Sequence, residues 1–169
     1  MNWLIIIILL LLVIAAVILK NKNHSNDAQY KKHKVLFSPA ERSFLGVLTQ
    51  AVEDNATIFG KVRVADILTP ISGLPRKKWQ ILFNKISSKH FDFILCDKTD
   101  LSIVCVIELD DKSHNSKTRK NRDAFLKSAC DSAGLPLVQI PAKSAYNVNE
   151  IRQILLTHLS NRNNALRVN

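Results

Sequence analysis

The sequence predicts an α/β domain, a mixed sheet with helices packed on it, preceded by one N-terminal hydrophobic helix. Three observations carry this. The opening run at residues 3–19 contains no charged or strongly polar side chain. Apolar stripes of helical period then alternate with short β-branched runs. Two of those runs flank a brief polar loop, as the strands of a hairpin do.

The opening run consists of Trp, Leu, Ile, Val and Ala. As a helix it rises about 25 Å, near the thickness of a bilayer's hydrocarbon core. Trp3 and Lys20 suit the two interfaces. A cleaved signal peptide is the competing reading. It wants a basic start, a shorter apolar core and a small-x-small cleavage site, and residues 1–22 supply none of these. Lys20, Lys22, Lys31, Lys32 and Lys34 all follow the run, and no basic side chain precedes it. By the positive-inside rule the expectation is a single-pass anchor in the inner (cytoplasmic) membrane, with the C-terminal part in the cytoplasm. Residues 21–36 then read as a basic polar linker.

The chain of 169 residues carries a net charge of +10, all of it beyond Leu19. Such a balance favours polyanions, either nucleic acid or the anionic leaflet beside the anchor. Cys96, Cys105 and Cys130 are odd in number and lie in apolar stretches, so they read as buried thiols.

The domain is expected over residues 37–160, with a disordered tail at 161–169. Its first helix opens on Ser38-Pro39-Ala40-Glu41, a capping serine, a proline at the first helical position and a capping-box glutamate. Phe44, Leu45, Leu48 and Val52 continue as an apolar stripe. Residues 57–64 form a strand, and a helix follows Pro75 with Trp79, Leu82, Phe83 and Ile86 on one face. Residues 90–97 (HFDFILCD) and 102–110 (SIVCVIELD) make the hairpin. A helix over 119–133 turns Phe125, Leu126, Ala129, Cys130 and Ala133 inward and stops at Gly134. Residues 136–140 form a short buried strand, and 149–159 a last helix with Ile151, Ile154, Leu155 and Leu159 inward.

The informative residues are acidic. Val104, Val106, Glu108 and Asp110 share one strand face, because side chains alternate. With the hairpin loop centred near Thr99, Asp92 falls opposite Glu108, their Cβ atoms roughly 5 Å apart. Crowded carboxylates repel unless a proton or a divalent cation lies between them. Hard oxygen ligands suit Mg2+ or Mn2+. The plain alternative is a pair of solvated strand ends, and a register slip of one residue would separate the two side chains.

The order of elements, with Glu on the first helix, Asp on one strand and Glu-x-Asp ending the next, resembles the core of the PD-(D/E)XK nuclease superfamily, the restriction-endonuclease-like fold. More closely, FDFILCD, VCVIELDDKSH and RKNRDAFLKSACDSAGLPLVQI, with SPAERSFLGVL and KVRVADIL before them, resemble a bacterial domain-of-unknown-function family, family 2726, within that superfamily. The resemblance spans about residues 36–140. It implies that Asp92 and Glu108 bind the cation, with Glu41 a further acidic member or simply a capping residue. Asp110 stands where the superfamily usually has a lysine. Asp110 can bind metal or act as base but supplies no positive charge, which would have to come from Lys112 or His114. His114, six residues after Glu108, is either a catalytic group or a surface residue.

Lys117, Arg119, Lys120, Arg122 and Lys127 follow, either to hold a phosphodiester backbone beside the carboxylates or as a solvated helix face. The sequence has no phosphate-binding glycine loop, no zinc-ligand spacing and no G-x-S-x-G elbow. The expectation is therefore a membrane-tethered, Mg2+- or Mn2+-dependent nuclease acting on DNA. The alternative is a non-catalytic nucleic-acid-binding module of the same fold. A third reading gives the basic surface to the inner leaflet or a protein partner.

Overall fold

The computed structural model describes residues 2–22, 29–110 and 117–165, with side chains at 3–17, 29–110 and 121–159. The chain divides into two compact units, Met1–Leu36 and Phe37–Asn169. The first contains helix α1, Asn2–Lys22. Its described side chains, Trp3 to Val17, are exposed along their whole run. Among the described residues no helix is long and apolar enough to cross a membrane.

The second unit is a four-stranded mixed sheet with helices on both faces. Helix α2, Pro39–Val52, starts on the expected capping box. Ser38 Oγ accepts from Glu41 N–H, and Glu41 Oε2 accepts from Ser38 N–H at 2.8 Å. Strand β1, Thr57–Arg63, runs into a single helical turn α3, Val64–Ile67, then α4, Arg76–Ile86. The hairpin is β2, His90–Cys96, and β3, Ile103–Asp110. Helix α5, Lys117–Ser132, leads to β4, Leu137–Pro141, and α6, Val148–Ala165, closes the unit. Helix α6 thus runs to Ala165, five residues past the expected domain end at 160, and residues 166–169 of the expected tail lie outside the described residues.

The sheet order is β1-β2-β3-β4. The first two pairings are antiparallel, and β4 lies parallel to β3. A parallel neighbour needs a crossover, and α5 lies between β3 and β4 in the chain. Gly134, at φ +65°, ends α5 in the left-handed conformation, and Leu135 N–H caps the Cys130 carbonyl at 3.0 Å. Ala133 beside it is exposed, against the inward position its spacing suggested.

Two cores sandwich the sheet. Phe44, Leu48 and Val52 of α2 and Ile151 and Leu155 of α6 meet Phe93, Leu95, Cys105 and Ile107 on one face. Ile154, expected inward as well, is 37% exposed. On the other face Val64, Ile86, Leu126 and Cys130 meet Phe91, Ile94, Cys96 and Val106. All three cysteines are buried and none is in a disulfide, Cys105 lying in the first core and the other two in the second.

Phe93 is the hub of the first core. The Phe37 ring stacks on it at 5.5 Å and Phe44 tilts against it at 5.7 Å. Gly60 is the register partner of Phe93, and a Cβ there would lie 2.4 Å from the Phe37 ring. The missing side chain is the space in which Phe37 packs.

Candidate functional site

Between β2 and β3 the register runs Phe93↔Ile107, Ile94↔Val106 and Leu95↔Cys105, each pair of numbers summing to 200. It shifts by one residue at Cys96↔Ile103, next to the loop. Extended one step the other way, it aligns Asp92 with Glu108. Regular pairing stops there. Phe91 and Phe93, two residues apart, lie in opposite cores, so strict strand alternation fails through Asp92. The Asp92 carboxylate takes the place of a main-chain partner, accepting the N–H of Leu109 on Oδ2 at 3.0 Å.

The β1–β2 ladder is interrupted at the same level. It pairs Gly60 with Phe93 and Val62 with Phe91 and passes over Lys61. Lys61 has φ +56°, a region that non-glycine residues seldom occupy outside turns and functional sites. Its ammonium bridges two carboxylates, Glu41 Oε1 on α2 and Asp92 Oδ1 at 3.3 Å. Glu41 therefore does two jobs, capping α2 with one oxygen and binding Lys61 with the other.

The Glu108 side chain is as closely covered as its neighbours, 13% exposed beside 14% for Glu41 and 16% for Asp92. Its Oε1 is buried without a hydrogen-bond partner among the described residues. Its Oε2 lies 3.7 Å from Arg122 Nη2 of α5. Burial, with the Asp92 charge adding to it and Arg122 opposing, pushes the Glu108 carboxyl up to about 7. Burial also raises Asp92 above its ordinary value, against the Leu109 N–H and the Lys61 charge. For Glu41, burial works upward but Lys61 and the Ser38 donors outweigh it and hold the carboxyl low. The two carboxylates raise Lys61 against the effect of its burial.

Glu41, Asp92 and Glu108 are thus gathered, through Lys61 and through the Asp92–Glu108 juxtaposition. Asp110 is half-buried at the end of β3, in register with Pro141, and its carbonyl accepts from Ala142 N–H at 2.9 Å. Lys112 and His114 lie outside the described residues. Lys117, Arg119 and Lys120 fall in α5, but their side chains lie outside the described set. Arg122 reaches the site, and its partner is Glu108.

Lys61 is the member that motif reading missed. The available signal was Gly60-Lys61 inside a β-branched run, since a strand glycine marks an irregularity. Lys61→Met is expected to cost the fragment from Tyr30 onward about 1–2 kcal/mol near pH 7, because Glu41 and Asp92 then share a partly buried site without a counter-charge. Because Glu41 is held low by Lys61, its share of that stability is fully present above the unfolded carboxyl value and is lost as pH falls from there through the lowered folded one. Urea denaturation of both proteins should accordingly show the gap narrowing in acid.

Among the described residues no group of three or more His, Cys, Asp or Glu is placed to hold a metal ion. The donor chemistry nevertheless suits magnesium, which typically takes one or two carboxylates and completes its shell with water and substrate phosphate. The unpartnered Glu108 Oε1 is an oxygen that such a cation would satisfy.

Fold and site together define a mixed α/β domain with three carboxylates and a lysine gathered where the sheet's central ladder ends. Residues 32–159 match the family described as "Protein of unknown function (DUF2726)", and the chain belongs to that family. No curated protein and no solved structure matches it.

Proposed function

We propose that the chain is a membrane-tethered, divalent-metal-dependent nuclease of the restriction-endonuclease-like, PD-(D/E)XK type that hydrolyses phosphodiester bonds of DNA. The observation that carries the reading is Glu108, a buried carboxylate with one orphaned oxygen beside Asp92 and Arg122. Asp92 and Glu108 would hold Mg2+ or Mn2+, which when bound supplies an acidified water and neutralises phosphate charge.

The chain's own groups do the rest. The Leu109 N–H fixes the Asp92 carboxylate, and Glu41 fixes Lys61 beside it. Lys61 brings a positive charge to a site in which Asp110 stands at the usual lysine position. That charge is placed to stabilise negative charge developing on phosphate. Arg122 offers an exposed guanidinium that can leave Glu108 for a phosphate oxygen. The tether is residues 3–19, an apolar stretch of α1 with lysines after it, which suits a single-pass anchor in the cytoplasmic membrane.

A second reading, a DNA-binding module without catalysis, is favoured by one observation. Lys61 occupies Asp92 Oδ1 and Arg122 stands at Glu108, so the carboxylates already have cationic neighbours. Cleavage of plasmid and linear DNA by the fragment from Tyr30 onward, with and without Mg2+ or Mn2+, separates the two. Glu108→Gln should lower metal-dependent cleavage by about a hundredfold or more. No cleavage by either protein, with DNA still retarded on a gel, would replace the nuclease by the binding module.

A further inference from the structure

From residue 68 to residue 91 the chain has no Asp or Glu, yet Arg76, Lys77, Lys78, Lys85 and Lys89 lie on or just beyond α4. Surface helices ordinarily mix the two signs, and α2 and α6 do so. The ammonium groups of Lys85 and Lys89 both lie over the ring of Phe125 on α5, at 5.9 and 5.4 Å from its centroid. Lys89 also donates to the Lys85 carbonyl at 2.5 Å. Neither lysine forms an ion pair with a described residue. Two like charges drawn to one aromatic ring repel each other, and an anion between them removes that repulsion.

The position of Phe125 gives this pair a direction. Arg122 precedes Phe125 by three residues on α5, so the two side chains are neighbours on the helix surface, roughly 5–6 Å apart at Cβ. Arg122 in turn stands 3.7 Å from Glu108. The cations of α4 therefore lead through Phe125 and Arg122 to the candidate site, on the sheet face that α4 and α5 share. Trp79 belongs to the same helix, stacked on Phe83 at 5.0 Å and flanked by Arg76, Lys77 and Lys78.

We propose that the outer face of α4, with the Phe125–Arg122 edge of α5, is the track on which a nucleic-acid backbone lies as it approaches Glu108. This rests on the reading of the site as one that acts on phosphodiesters, and it adds the surface that holds them. The fit is one of charge: consecutive phosphates need unpaired cations in a row, and α4 supplies them with no carboxylate among them.

The test uses the full chain in a neutral detergent with chelator present, so that binding is read without cleavage. A short fluorescent DNA duplex is the probe, followed by anisotropy over a range of salt. Lys85→Glu/Lys89→Glu should weaken binding about tenfold or more and flatten the salt dependence by about two phosphate contacts. Lys98→Glu, in the hairpin loop and paired with Asp54, should change affinity less than about twofold. Lys85→Gln/Lys89→Gln removes the charges more gently and should give an intermediate loss.

Two tryptophans are present, so in a Trp3→Phe background Trp79 alone reports on α4 and its emission should change as DNA binds. Unaltered affinity in both lysine variants would assign these lysines to solvent or to lipid headgroups and overturn the proposal. Binding without any change in Trp79 emission, or an equal loss from Lys98→Glu, would overturn it too. The nuclease reading fails separately: a chain that never cleaves but shows this binding pattern keeps the track and loses the chemistry. Normal cleavage with unaffected lysine variants does the reverse.

Discussion

In metal-free protein, Glu108→Gln is expected to stabilise the fold by about 3 kcal/mol near pH 8 and to change it little near pH 4. The cause is the burial of a carboxylate whose Oε1 has no partner among the described residues. The folded protein holds the Glu108 proton up to about 7, against an ordinary value of 4.5. The folded state therefore binds that proton more tightly than the unfolded chain. Stability that is fully present below about 4.5 is lost as pH rises through 7, at about 1.4 kcal/mol per unit of difference. Glutamine keeps the shape and cannot ionise, so the variant escapes that loss. It gives up only a 3.7 Å contact to an exposed arginine, worth little.

Urea denaturation across this pH range, with chelator, checks the effect. Two curves that stay parallel from acid to alkaline pH would mean that Glu108 titrates normally and is not the strained group of the site. The same measurement extends to metal. Magnesium added near pH 8 should restore stability to the wild type and leave the glutamine variant unmoved, because only an ionised Glu108 offers the cation a charge. A wild type indifferent to both magnesium and manganese would remove the metal from the proposed chemistry.

The second large effect is expected at Phe93. Phe93→Ala should cost about 3–5 kcal/mol, the range for deleting a fully buried aromatic ring. Phe37 and Phe44 both rest on that ring, and its cross-strand neighbour Gly60 has no side chain with which to fill the gap. Collapse would have to come from Phe37, which would then lose its place over Gly60. A chemical denaturation midpoint shifted by less than the equivalent of about 1 kcal/mol would show that the Phe37–Phe93–Phe44 stack does not anchor the core.

Local rules carried much of this fold. Ser38, Pro39 and Glu41 announce α2 through chemistry confined to four residues, and Gly134 ends α5 for an equally local reason. The hairpin register was readable because a short loop leaves few ways to pair two apolar strands, and the pairs near Phe93 fall as the loop position dictates. What escaped was long-range or too short to have a period. The single turn at Val64–Ile67 spans too few residues for a helical stripe. Lys61 meets Glu41 and Asp92 across 20 and 31 residues of sequence, through a backbone conformation no propensity favours for lysine. The loop position aligned Asp92 with Glu108 by extending a register whose observed pairs end at Phe93 and Ile107. It gave no hint that the Asp92 side chain turns to the Leu109 amide, because that turn depends on the ladder breaking on both sides of β2.

Two of the buried cysteines have a chemical consequence of their own. Burial pushes Cys105 up to about 12 and Cys130 up to about 11, so neither sulfur carries appreciable thiolate at neutral pH in the folded domain. Electrophiles and oxidants react with the thiolate, so both sulfurs stay silent until the chain opens. Because Cys105 belongs to the core beneath α2 and α6, and Cys130 to the one beneath α4 and α5, alkylation of each times the opening of its own half. The domain carries two clocks, one on each side of its sheet, and they need no label beyond the sulfur already there.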